Sequence, residues 1–96
     1  MWACPYELTK PNGSAALQSS QGIGYAINRS VGGLLLLLPE AVGKKQVFEM
    51  QVPSEMGKGQ MTKLGEVRWT RPIPVDTHVN MYLVGIRFLF ELPALG

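Results

Sequence analysis

One cysteine and one histidine occur in the 96 residues, and that scarcity removes whole classes of chemistry. An intrachain disulfide needs two cysteines, and a zinc or iron site built from protein ligands needs several cysteine and histidine side chains together. The lone Cys4 fits a reducing, cytoplasmic setting. Charge is sparse as well: acidic and basic residues make up 17% of the chain, and the formal net charge is only +2. The nine basic residues are scattered along the sequence and form no stripe, so duplex nucleic acid is not an expected partner. No stretch approaches the roughly 20 apolar residues of a spanning helix. The first residues lack a charged start followed by an apolar run, so neither membrane insertion nor a secretory leader is expected.

What is present is hydrophobic content of 46%, enough for one core and one domain over residues 1–96. Helical periodicity is hard to find, whereas strand patterns recur between glycine and proline punctuation. "PYELTK" (5–10) is a strand ended by the turn sequence Pro11-Asn12-Gly13. "GIGYAIN" (22–28) places Ile23, Tyr25 and Ile27 on one face, with Gly22, Gly24 and Ala26 opposite, where another backbone can come close. "LLLLLP" (34–39) shows no alternation, which predicts cover on both faces. "KQVFEMQVP" (45–53) turns Phe48, Met50 and Val52 inward, and a polar glycine-rich loop follows it. "MTKLGEVRWTRP" (61–72) puts Val67 and Trp69 on the core face, and "NMYLVGIRFLFEL" (80–92) adds Tyr82, Val84, Ile86, Phe88 and Phe90. Six short strands in so small a chain predict an all-β, six-stranded antiparallel barrel, a closed form that leaves no edge exposed.

Catalytic constellations are absent from this pattern. His78 has no nucleophile and acid that the sequence places beside it, and Glu40, Glu49, Glu55, Glu66, Asp76 and Glu91 are dispersed. Cys4 has no basic neighbour to lower its pKa. Arg68, Arg71 and Arg87 read as solvated outward positions. The expectation is a protein that is not an enzyme. The segment "NRSVGG" (28–33) reads in two ways. Asn, Ser and Gly are turn formers. The same side chains also offer amide and hydroxyl groups to a ligand, and glycine allows close approach.

"NRSVGG", the buried strand after it, "GEVRW" and "YLVGIRFLF" together resemble the PilZ family of bacterial cyclic di-GMP receptors, over about Tyr6 to Phe90. The resemblance implies a six-stranded antiparallel barrel and a signature of Asp or Asn, any residue, Ser, two of any residue, then Gly. That signature falls on Asn28, Ser30 and Gly33, which would face cyclic di-GMP. The family also carries two arginines, separated by three residues, just ahead of its first strand, to grip the phosphates. "MWACP" contains none, and Lys10 cannot replace a planar guanidinium at equal strength. The family's C-terminal helix is not expected either, since "ELPALG" is short and broken by proline.

The combined expectation is a PilZ-like signalling domain without a cofactor, in which cyclic di-GMP binding is weak or lost. Alternatively the arginines come from a neighbouring chain or a longer protein, or the barrel is an interaction module with a protein partner. Leucines on both sides of the third strand, with no helix to cover them, predict a homodimer through Leu35 and Leu37.

Overall fold

Period-2 side-chain alternation requires every strand of a small barrel to send one set of residues inward and the other outward. The computed structural model describes residues 1–11, 17–54 and 59–91, in side-chain detail at all of them but 9–11, 17–19, 90 and 91. It contains six strands: β1 (Trp2–Pro11), β2 (Leu17–Arg29), β3 (Gly33–Leu38), β4 (Val47–Pro53), β5 (Gln60–Pro74) and β6 (Asn80–Glu91). All pairings are antiparallel, and they close into a barrel of order β1-β2-β3-β6-β5-β4. Two meanders, β1-β2-β3 and β4-β5-β6, are therefore sewn together along β3–β6 and β1–β4. The β1–β4 seam is the shorter, with three paired positions from Tyr6↔Met50 to Leu8↔Phe48. No helix occurs among the described residues. The turn expected at Pro11-Asn12-Gly13 runs into residues 12 and 13, outside the described residues, as do Glu55 and the end of the chain from Leu92.

Each strand contributes inward residues to one core. Cys4, Tyr6 and Leu8 come from β1, Leu34, Leu36 and Leu38 from β3, and Phe48, Met50 and Val52 from β4. Val67, Val84 and Ile86 complete it from β5 and β6, with Tyr82 and Phe88 packed partly buried against it. The β4 phase is as the sequence predicts. On β2 the small face points inward, because a Cβ on Gly24 would sit 2.5 Å from Leu38 Cδ2 and 3.0 Å from the Leu37 carbonyl oxygen. Ile23, Tyr25 and Ile27 face outward and are exposed.

Two sequence expectations are corrected. The leucine strand alternates after all: Leu34, Leu36 and Leu38 are buried, while Leu35 and Leu37 point outward and are half-buried. Trp69 is not a core residue, being 45% exposed. Its displacement has a local cause. The β5–β6 register passes from Val67↔Ile86 to Trp69↔Gly85, so Arg68 is an extra residue in β5. Such a β-bulge puts two successive side chains on the same side of the sheet. Arg68 and Trp69 both face out, and the period-2 count that carried Val67 inward no longer applies to Trp69.

Candidate functional site

A second bulge of the same kind lies on β2. Its register with β3 passes from Ala26↔Leu36 to Asn28↔Leu35, which leaves Ile27 unpaired. Simple alternation from the buried Ala26 would turn Asn28 into the core; the bulge turns it out, where it is exposed. Asn28, Leu35, Gly85 and Trp69 are then paired in one continuous row across β2, β3, β6 and β5. Three inter-strand steps at about 4.8 Å make this row about 15 Å long. Both of its ends are aimed by bulges.

Gly85 explains the position of the indole. A Cβ at residue 85 would run into Trp69 Nε1 and Cε2 and would come within 2.9 Å of Cδ1, so the ring lies over the bare backbone of β6. An aromatic across from a strand glycine fills the gap that the missing side chain leaves. Here it also presents an aromatic surface to solvent.

A shallow depression of about 350 Å³ runs along this row. At one end lie Asn28, Arg29, Ser30, Gly32 and Gly33 from the β2–β3 hairpin, and at the other Arg68, Trp69, Gly85 and Arg87. Leu34, Leu35 and Ile86 lie between them. The hairpin is tied down by its backbone: Ser30 N–H donates to the Gly33 carbonyl at 3.0 Å, and Phe88 N–H donates to the Gly32 carbonyl at 2.9 Å. Gly33 itself has a packing reason, because a Cβ there would collide with the Ile86 carbonyl oxygen. Of the three residues in the sequence signature, Asn28 and Ser30 carry exposed polar side chains, and Gly33 lets the hairpin approach β6.

The three arginines at the depression are held differently. Arg29 Nη1 donates to the Pro53 carbonyl at 2.8 Å, which anchors it across the barrel end. Arg68 Nη1 lies 3.6 Å from Glu66 Oε1 in an ion pair whose arginine side chain is 54% exposed. Arg87 is exposed on β6 and pairs in register with Glu66. Arg68, Arg71 and Arg87 are all exposed, as the sequence pattern predicts; Arg68 and Arg87 border the depression, whereas Arg71 pairs with Leu83, away from it. Sequence reasoning gave Trp69 to the core and passed over Gly85. The usable signal was a glycine in the middle of "YLVGIRFLF", a position where a strand is weakened unless something lies over it.

A larger depression of about 550 Å³ lies over β1, β2 and β4, between Pro5, Tyr6, Glu7, Gln21, Gly22, Ile23, Glu49 and Gln51. Glu7 and Glu49 face each other there in register, so its charge is unsuited to an anion. The neighbouring Tyr6 hydroxyl donates to Glu40 Oε2 at 2.7 Å, and burial together with that carboxylate raises the Tyr6 pKa. His78 lies in the β5–β6 loop, its backbone N–H donating to Asp76 Oδ1 at 2.7 Å. Cys4 is fully buried, with its thiol pushed up to about 11 by desolvation. Among the described residues no group of three or more His, Cys, Asp or Glu side chains is placed to hold a metal ion, and no helix is long and apolar enough to cross a membrane. No protein-family profile, no curated protein and no solved structure matches the chain.

Proposed function

We propose that this barrel is a non-enzymatic, PilZ-like signalling domain that takes cyclic di-GMP weakly along the row from Asn28 to Trp69. The carrying observation is that two separate bulges turn Asn28 and Trp69 outward onto one depression that arginines also line. Each residue type suits the ligand. A guanine stacks on the indole face, an interaction worth about 1–3 kcal/mol per base. The Asn28 amide and Ser30 hydroxyl meet the polar edge of a base, and guanidiniums meet the phosphates. The affinity is weak because residues 1–5 of this chain hold no arginine, so the pair that the family places ahead of its first strand is missing from it. Calorimetry on the 96-residue chain should give a Kd of about 10 μM to 1 mM, with Asn28→Ala and Ser30→Ala each reducing binding. A submicromolar Kd would overturn the weak-binding claim, and no heat at millimolar ligand would overturn the receptor reading.

A second reading rests on a different observation. Ile23, Tyr25 and Ile27 are 58%, 46% and 39% exposed on the outer face of β2, and Tyr25 pairs with the outward Leu37 of β3. Contiguous apolar surface of this sort is a mark of protein interfaces. On this reading the face including Leu35 and Leu37 joins two copies or binds a protein partner. Sedimentation at micromolar concentration separates the two cases: a dimer that Leu37→Lys dissociates supports self-association, and a clean monomer refutes it.

A further inference from the structure

Arg68 and Arg87 come from adjacent strands and line one end of the depression, and a single carboxylate stands beside both. Glu66 is two residues before Arg68 on the outer face of β5 and is directly paired with Arg87 on β6. Directly opposed residues of an antiparallel pair have Cβ atoms about 5 Å apart, within the reach of both side chains. Glu66 Oε1 engages Arg68 at 3.6 Å, too long for a hydrogen bond. Among the described residues Arg87 has no hydrogen bond or ion pair through its guanidinium. Arg29, by contrast, is committed to the Pro53 carbonyl. Two guanidiniums with one loosely held carboxylate between them leave donors unused on a surface that opens into the depression.

We infer that Arg68 and Arg87 are the phosphate-holding half of the site and that Glu66 is its internal occupant, which a phosphate group must displace from Arg68. The ligand class is a phosphate ester or anhydride, and its assignment to a cyclic dinucleotide rests on the function proposed above. The Arg68 bulge has a role here beyond aiming Trp69. It places a guanidinium and an indole in succession on one face, so a phosphate can be held beside a stacked base. Glu66 tunes the affinity downward, since the ligand's negative charge meets the carboxylate's before Arg68 is released.

Wild type, Arg68→Gln, Arg87→Gln, Glu66→Gln and Asn28→Ala are titrated by NMR with cyclic di-GMP and, separately, with pyrophosphate, which has no base. All four positions face solvent, and circular dichroism confirms that each variant is folded. Each arginine variant should weaken both ligands by about tenfold, as loss of a charge-assisted contact does. Glu66→Gln should strengthen both by about threefold, the scale of an exposed ion pair. Asn28→Ala should weaken cyclic di-GMP alone. Unchanged affinities in both arginine variants refute the clamp, and a loss of cyclic di-GMP in Asn28→Ala would then leave the receptor reading standing. Arginine-dependent pyrophosphate binding without any cyclic di-GMP binding keeps the clamp and removes the receptor reading. An unaltered Glu66→Gln overturns the role given to the carboxylate, and wild type that binds neither ligand at millimolar concentration overturns both proposals.

Discussion

Replacing Trp69 by alanine should cost distinctly less stability than replacing Phe48, although tryptophan is the larger side chain. Phe48 is fully buried, with its ring centroid 5.5 Å from that of Tyr6, and its truncation leaves a cavity inside the barrel. Such changes cost about 3–5 kcal/mol. Trp69 is 45% exposed and covers Gly85 from outside, so its removal leaves no cavity. A fully buried tryptophan removes up to about 250 Å² from water. Roughly half of that, at about 25 cal/mol per Å², bounds the loss near 3 kcal/mol. Compactness of the unfolded chain brings it to about 1.9–2.8 kcal/mol. The difference between the two variants is therefore about 2 kcal/mol. Urea unfolding followed by circular dichroism resolves it, since with m of about 1–3 kcal/mol/M the midpoints of the two variants should lie about 0.7–2 M apart. Equal midpoints at unchanged m would mean that Trp69 lies in the core and that β5 carries no bulge at Arg68. A complementary change, Gly85→Ala, forces the indole off β6. In a Trp2→Phe background it should shift the Trp69 emission while leaving the barrel folded.

The remaining predictions concern groups in and beside the core. Cys4 is buried with its thiol pKa raised to about 11. A group whose folded pKa lies above its unfolded value stabilises the fold fully below the unfolded pKa and loses that contribution as pH rises through the folded one. Stability should hold up to about pH 9 and fall between there and about pH 11, and Cys4→Ala should flatten that decline in urea midpoints measured across the range. An equally steep decline in Cys4→Ala would assign it elsewhere. Tyr6→Phe removes the 2.7 Å hydrogen bond to Glu40 while keeping the ring against Phe48. It should cost about 1–2 kcal/mol, the range for a hydrogen bond to a charged, partly solvated acceptor. A neutral result would show that water serves Glu40 equally well.

Where a strand keeps strict alternation, the sequence is a reliable guide. "VFEMQVP" sends Phe48, Met50 and Val52 inward as its pattern requires, because each outward neighbour is polar or tolerates exposure. The leucine strand is harder, since five identical side chains cannot announce their phase. What fixes it is pairing with β2 and β6, where Leu36 stands in register between the buried Ala26 and Val84 on the inner face. Bulges are harder still. Nothing in "AIN" or "VRW" marks the extra residue, because a bulge is settled by how two partner strands must bend to close a barrel, and those partners are distant in sequence. The hairpin "NRSVGG" was legible as both a turn and a candidate site, whereas the need for glycine at 33 comes from packing, its close approach to the Ile86 carbonyl on β6.

The arginines show why a linear reading of charge undervalues this surface. Arg29, Arg68 and Arg87 are separated by 39 and then 19 positions, and each is isolated among apolar or neutral neighbours. Order β2-β3-β6-β5 in the barrel brings the three strands that bear them within three steps of one another, with only β3 between β2 and β6. Register does the rest by lining residue 29 against Leu34, Leu34 against Ile86, and Ile86 against the residue just before Arg68. A chain with a net charge of +2 can therefore present a locally cationic depression without any basic run in its sequence. The same closure keeps the opposing pair Glu7 and Glu49 on the β1–β4 seam, in the other depression and apart from these arginines. On the function proposed above, an anion approaching this barrel is drawn to the face where the exposed indole and the Asn28 amide stand, because the register places them beside the arginines.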